Sequence, residues 1–497
     1  MEHAALRPQS RAAAVGLGVL AAATLLAPLS CGARPALTGS ARGLDVFVTL
    51  IDAAAAGRIG AFGGERPTTP FIDQLAAAGT RFARTSSAAP YTLASVASLF
   101  TGEHVDVHQV IHPGDVLPAV LEPLAGRFKD AGYRTFGASA NAHIHARYGF
   151  DRGFETFEWF DPMVGAVPHH VVPDTMLASI ERQLASDDPR PAFVYAHLMP
   201  PHAPYDPPPA FRRLFAPDLA DGRAGSIENL TPLSHGARVV PPAEARAILD
   251  LYDGSLRYVD SVLARFGALL EREQRLERTL WIVLSDHGEA FGEHGLWQHS
   301  RLVVETMLHV PLVLRAPRGF AGGSLEGRII DAPVSLVDLA PTLVELCGLE
   351  GRRAQSGVSL VPLLSGARLD DRPPIVARTA GPGPYTSVRR GDLKAIYHAG
   401  NRRWQLFDLG ADPLEQSDLA ASRPADLAPL VTELETWWQR WRPYSVGVRE
   451  RVQLGAEERA RLGAIGYFVA PTDVESEGDA KGDAKASGDA PMPARGE

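Results

Sequence analysis

The residues with the clearest chemical capacity lie in Asp286-His287-Gly288-Glu289, followed by Gly292-Glu293-His294-Gly295 and then His299. Aspartate oxygen and neutral imidazole nitrogen are both good ligands for divalent metals. Just before them runs Thr279-Leu280-Trp281-Ile282-Val283-Leu284, apolar and β-branched, which predicts a buried parallel strand. A carboxylate and an imidazole thus stand where a core strand ends. In open α/β sheets that edge is where ligands bind. Asp-His-Gly alone also suits a polar turn, so its meaning depends on partners elsewhere in the chain.

Those partners need elements to carry them. Residues 44–51 predict a first core strand, ending at Asp52. Residues 70–78 predict a short helix closed by Gly79. A second helix is expected just after Thr92, and another over 120–131, ended by Gly132. Strands are expected over 133–138, 192–198 and 310–315, with helices over 174–185 and 242–273. This alternation predicts an α/β fold with a mostly parallel central sheet flanked by helices. From about Arg372 the texture changes. Residues 387–397 and 404–409 predict short antiparallel strands, and 425–440 a closing helix, so a smaller C-terminal antiparallel-sheet subdomain is expected. The last segment repeats Gly-Asp-Ala-Lys at 478–481 and 482–485, has no aromatic residue and is expected to be disordered.

With 497 residues, 45% of them hydrophobic and 22% charged, the chain can bury a large core. A net charge of −9 and the lack of any Lys/Arg-rich run exclude a nucleic-acid binder. Arg7 and Arg11 precede an apolar segment over 12–29, and then come Ser30-Cys31-Gly32. This is the form of an export signal. Small residue then Cys resembles the bacterial lipoprotein cleavage box, although Pro28 stands where Leu is usual. A cleaved signal is the second reading, and a retained anchor helix the third, since such a run can just span a bilayer. Each reading places the protein in the bacterial cell envelope, associated with the membrane in the first and third. The other cysteine, Cys347, falls in an expected helix and reads as a small buried hydrophobe. There is no disulfide framework and no Cys/His zinc pattern.

Four segments line up in order. Asp52 ends the first strand. Thr92 stands in Pro90-Tyr91-Thr92-Leu93-Ala94-Ser95-Val96-Ala97-Ser98-Leu99-Phe100-Thr101-Gly102. His202 stands in His197-Leu198-Met199-Pro200-Pro201-His202-Ala203-Pro204-Tyr205. Asp286, His287 and His299 complete the set. Together they resemble the sulfatase family of the alkaline phosphatase superfamily, from about residue 42 to 470. The stretch Gln405-Leu406-Phe407-Asp408-Leu409-Gly410-Ala411-Asp412-Pro413-Leu414-Glu415 and the late Leu462-Gly463-Ala464-Ile465-Gly466-Tyr467 belong to the same resemblance. It implies an alkaline-phosphatase-like fold with a catalytic domain at 42–370 and a C-terminal subdomain at 371–470, which together with the signal and lipobox at 1–31 and the tail at 471–497 makes four expected regions. It implies a divalent cation (Ca, Mn, Mg or Zn) held by Asp52, Asp286 and His287. Thr92 would be nucleophile and additional ligand at a helix start, where free N–H groups favour negative charge. His202 and His299 would hold the anionic group and protonate the leaving oxygen. The implied activity is metal-dependent hydrolysis of a sulfate or phosphate-type ester. The implied partner is an anionic ester, a glycan or a lipid head group.

The departures from the family pattern are specific. Sulfatases carry Cys or Ser in a Cys/Ser-X-Pro-Ser-Arg motif and convert it to formylglycine. Here the aligned residues are Thr92-Leu93-Ala94-Ser95-Val96, and Thr cannot give that aldehyde. Ala53 stands where the family has a second Asp, and 53–57 lack the usual Arg and Asp. A Thr nucleophile is what the phosphodiesterase and phosphotransferase branches use. Two alternatives therefore stay open. One is a phosphodiester or phosphonate hydrolase, or a phosphotransferase of envelope lipids, using Thr92. The other is a catalytically degenerate lipoprotein. Of the remaining histidines, His197 is expected to be structural and His294 to hold its loop. His143 and His145 align with a substrate-lining loop without an assigned role, and His169-His170 reads as a solvated pair.

The N-terminal reading is tested by fractionation. Wild type is expected in the membrane fraction and Cys31→Ala outside it, because stable anchoring needs acyl chains on that residue. If both remain in the membrane with residues 1–30 attached, the segment is an anchor helix.

Overall fold

The run at 279–284 is apolar at every position, so both faces of its strand must be covered. The computed structural model describes residues 37–464 except 162–171, 220, 235, 300–301, 324, 351–354, 382 and 447–449. The segment with Cys31, the pair His169-His170 and the tail at 471–497 lie outside the described residues, and the motif at 462–467 is described only to residue 464. Eight strands form the central sheet: β1 (Asp45–Ile51), β2 (Thr80–Phe82), β3 (Arg134–Ser139), β4 (Thr156–Trp159), β5 (Ala192–Leu198), β6 (Thr279–Ser285), β7 (Leu312–Arg315) and β8 (Arg328–Ile330). Their order is β8-β2-β7-β6-β1-β5-β3-β4. All neighbours are parallel except β7, which runs against β6 and β2. Every residue of β1, β5 and β6 is buried. Val46, Val48 and Leu50 enter one core while Phe47 and Ile51 enter the other, so the sheet is sandwiched as its composition requires.

Register sets the site. Ile51 pairs with Ser285 on one side and Leu198 on the other. The next residues of two parallel strands, Asp52 and Asp286, therefore emerge side by side at the carboxyl edge. Helix α1 (Pro70–Ala78) follows the first of them, then α2 (Thr92–Thr101), whose ten residues are all buried. The long α3 (Pro242–Arg272) covers the second core. Beyond Leu308, a four-stranded antiparallel sheet is built from β9 (Ile375–Arg378), β10 (Tyr385–Arg390), β11 (Leu393–His398) and β12 (Arg403–Asp408), closed by α4 (Pro424–Trp441). No helix among the described residues is long and apolar enough to cross a membrane.

Two expectations shift for local reasons. The helix expected over 120–131 is Leu124–Asp130, because Pro123 holds extended backbone at its N-cap and disfavours helix before it. The run at 387–397 is two strands, β10 and β11, because Gly391 takes φ +62° in the turn between them.

The small sheet is tied to the segment after His299 by a buried charge network. Lys394 Nζ lies 2.7 Å from Glu305 Oε1 and 2.8 Å from Glu415 Oε1, and Arg389 lies 3.2 Å from Glu305 Oε2. Burial alone would raise the Glu305 carboxyl, but Lys394 and Arg389 outweigh it and hold it below the usual range. Lys394→Met leaves two buried carboxylates without their ammonium. We expect a loss of about 3–5 kcal/mol in denaturant unfolding. A loss under about 1 kcal/mol would mean that the pairing is worth no more than a surface salt bridge.

Candidate active site

Six residues singled out in the sequence come together at the carboxyl edge of the sheet. Thr92 Oγ1 lies 3.5 Å from Asp52 Oδ1 and 3.2 Å from His287 Nε2. His287 Nε2 is 3.6 Å from Asp52 Oδ1 and 3.5 Å from Asp286 Oδ2. One ligand atom from each of Asp52, Asp286 and His287 lies within 4.8 Å of the others. The His299 ring stands 4.2 Å from that of His287 and 5.1 Å from that of His202, centre to centre.

Each group is held by a definite local cause. Thr92 opens α2, with Tyr91 in the N-cap position and no side-chain cap. The Thr92 hydroxyl is therefore not spent on the helix and turns into the site. Ser95, one turn on, donates its hydroxyl to the Asp286 carbonyl at 2.7 Å and fixes α2 against β6. Ser285 Oγ accepts from Ala54 N at 2.8 Å and donates to the His287 carbonyl at 2.7 Å. Gly288 is required by packing: a Cβ there would sit 2.2 Å from the Thr306 carbonyl oxygen. His287 Nδ1 donates to the Gly288 carbonyl at 2.9 Å, which leaves Nε2 with the lone pair in the neutral ring. His202 is oriented in the same way, with Nδ1 donating to the Ala203 carbonyl at 2.7 Å.

Several contributors were not assigned from the sequence. His197, expected to be structural, reaches Asp52 Oδ2 at 3.1 Å and is backed by Tyr195 OH at 3.0 Å. Asn141 donates Nδ2 to the same oxygen at 2.7 Å. Asp52 Oδ2 is thus occupied and Oδ1 faces Thr92. Burial alone would raise the Asp52 carboxyl, but His202, His197 and His287 outweigh it and hold it well below the ordinary carboxylate range. Glu289 is buried, accepts from Tyr205 OH at 2.9 Å and meets His299 Nδ1 at 3.1 Å. Burial pushes Glu289 up to about 7, against His202 and His287, and pushes His299 down to about 3, helped by His202. Both partners are driven toward their neutral forms. Asn141 follows a strand ending at the same edge, and Glu289 belongs to the opening motif, so both signals were on the chain. His294 is exposed, with φ +55°, and stays outside the cluster. His143 is buried next to Asn141, its N–H donating to Asn141 Oδ1 at 2.8 Å, and burial then His145 lower it to about 4.

The donor set fits a divalent cation. Asp286 Oδ1 accepts from Ala53 N at 3.2 Å and His287 N at 3.0 Å. Asp286 Oδ2 is buried and accepts no hydrogen bond among the described residues. A buried carboxylate oxygen without a donor is costly. A cation facing it, Asp52 Oδ1, His287 Nε2 and Thr92 Oγ1 would remove that cost with hard and borderline donors. The departures also have places. Val96 is buried in the apolar core, so no guanidinium stands at that position. Ala53 holds φ +56° and donates backbone N–H where the family carries a carboxylate.

The sequence model of the sulfatase family matches residues 45–349, more than half of the chain. A second model, the C-terminal region of N-sulphoglucosamine sulphohydrolase, matches residues 292–439. The chain belongs to the sulfatase family. It is 34% identical over 209 residues to choline-sulfatase of Rhizobium meliloti (strain 1021), a match spanning 40% of this chain and 39% of that protein. It shares its fold with phosphonate monoester hydrolase of Agrobacterium radiobacter, with TM-score 0.66 and 20% identity over 84% of this chain and 99% of that one. A structure solved in complex with its substrate D-glucosamine-2-N,6-O-disulfate gives TM-score 0.69 and 19% identity over 81% of this chain and 99% of that one.

Elemental analysis of purified protein tests the cation reading. Wild type is expected to carry roughly one divalent cation per chain, and Asp286→Ala far less. Equal content in both, or none in either at micromolar supply, would reject it.

Proposed function

We propose that this chain cleaves or transfers a monoanionic tetrahedral ester, a sulfate monoester or a phosphodiester or phosphonate monoester, with Thr92 as nucleophile. The placement of the Thr92 hydroxyl carries this reading. It opens a buried helix, is free of any capping duty, and faces both Asp52 and His287. A divalent cation held by Asp52, Asp286, His287 and Thr92 would polarise the ester and lower the pKa of the hydroxyl. The two carboxylates would neutralise such a cation, so the site suits one further negative charge rather than two.

The chain's own residues then divide the work. His197 and Asn141 hold Asp52 so that Oδ1 stays toward Thr92. The N–H groups at the start of α2 would favour developing negative charge on the Thr92 side. The His299 ring lies 4.2 Å from that of His287 and 5.1 Å from that of His202, and the transferred group and its leaving oxygen would sit against these rings. Burial keeps His299 neutral, so it contributes hydrogen bonding rather than charge.

One observation favours phosphorus over sulfur. Formylglycine hydrate has a second hydroxyl on Cβ that can expel the bound group. Threonine carries a methyl there instead. A group on Thr92 must therefore be released by attack of water or an acceptor alcohol on its central atom. That is a second displacement of the same kind as the first, and it allows transfer as well as hydrolysis. The substrates we propose are anionic esters of glycans or envelope lipid head groups, met at the membrane face of an exported protein.

A panel of aryl sulfates, phosphodiesters and phosphonate monoesters tests this. Thr92→Ala should abolish turnover while its melting temperature stays within a few degrees, and acid-quenched wild type should show a mass adduct on Thr92. A merely structural Thr92 would instead leave turnover intact in Thr92→Ala. If wild type turns over no ester and forms no adduct, the chain is a catalytically degenerate family member.

A further inference from the structure

We propose that Glu289 is a positioning residue that holds the His299 ring in the site, acting through that ring rather than on the substrate. This rests on the catalytic reading above. Glu289 is 1% exposed, yet its two hydrogen-bond partners among the described residues are Tyr205 and His299, not a lysine or arginine. A buried carboxyl with that pairing needs a reason, because burial without a cationic partner is unfavourable.

The backbone explains how the pair meets. Ala290–Phe291 runs antiparallel to Trp297–Gln298, with Ala290 opposite Gln298. One step further, Glu289 comes opposite His299. Between them the chain turns through left-handed residues, Gly292 at φ +110°, His294 at +55° and Gly295 at +72°, and Gln298 takes +64°. A ring at the end of such a turn has little neighbouring backbone to fix its side chain. Glu289 supplies the constraint at Nδ1 and leaves Nε2 for the site. Glu289 is itself tied down. Tyr205 OH donates to Oε2, and the Tyr205 backbone N–H is held by the Gly225 carbonyl at 2.9 Å. The Tyr205 ring packs edge-on against Tyr252 at 5.5 Å. Tyr252 OH accepts from Ala55 N at 2.9 Å and donates to the Ala53 carbonyl at 2.8 Å. A continuous line of contacts thus runs from the turn after Asp52 to the ring of His299. The tether holds whichever partner carries the proton.

Activity and structure test it separately. The substrate is the panel ester that wild type turns over fastest. Glu289→Leu should lower kcat about 100-fold with KM changed less than about threefold, and Glu289→Gln, which keeps an acceptor for Nδ1–H, should stay within about tenfold of wild type. His299→Ala should lose as much as Glu289→Leu, and the double variant should lose no more than either. Multiplicative losses would mean that Glu289 acts independently of His299 and would overturn the proposal. Crystals of Glu289→Leu should show the His299 ring turned away from His287 and His202. An unmoved ring would also overturn it. If wild type turns over no ester, the catalytic reading fails while the ring position still decides the tether.

Discussion

Two carboxylates buried side by side are the constraint on which this structure depends. The pairing of Ile51 with Ser285 brings Asp52 and Asp286 out of adjacent strands at one level. Like charges in a low-dielectric interior repel and are poorly solvated. The surroundings read as compensation. Asp286 Oδ1 takes two backbone N–H groups, and Asp52 Oδ2 takes Asn141 and His197. The remaining oxygens face Thr92 and His287, with Asp286 Oδ2 accepting no hydrogen bond among the described residues. Compensation is thus complete on one side of each carboxylate and open on the other. That asymmetry distinguishes a site from a buried polar cluster.

The substitutions relative to other sulfatases fit within this frame without dismantling it. Ala53 keeps a left-handed backbone at φ +56°, which costs a β-carbon roughly 1 kcal/mol. That strain is met by three contacts: its N–H on Asp286, its carbonyl on Tyr252, and the neighbouring Ala54 N–H on Ser285. Val96 is different, because it belongs to the apolar core and leaves no charge behind. The site is therefore stripped of a second carboxylate and of a guanidinium together. The Arg and Asp absent from 53–57 add one more of each sign, so the losses balance in charge.

Much of this was legible in the chain because the decisive residues sit at strand ends. Asp52 and Asp286 follow uninterrupted apolar runs, and a parallel sheet places such positions on one edge whatever the loops do. Thr92 was legible as a helix start, though only the structure shows its hydroxyl free of a capping bond. What the chain hid was pairing across segments. His197 looked like a core residue because it is one. Its second face, turned to Asp52, depends on a register between strands far apart in sequence. Asn141 was hidden for the same reason. The helix expected over 120–131 is shorter because steric restriction at Pro123 outweighs apolar periodicity in the residues before it.

The small C-terminal sheet completes the argument about the loop that carries His299. That loop is anchored at its start by β6 and at its end by the segment Glu305–Leu308. That segment and the two residues before it pack through Val303, Val304, Met307 and Leu308 against Ala377, Ile396 and Phe407 of the antiparallel sheet and Leu409 just beyond it. Glu305 adds its buried pairing with Lys394 and Arg389. The sheet therefore supplies a wall for the far end of the loop, while Glu289 and Tyr205 restrain it from within. A ring such as His299 can then stay in place without belonging to any regular element. The two regions of the chain meet at one edge: the parallel sheet positions Asp52, Asp286 and His287, and the antiparallel sheet packs against the far end of the loop.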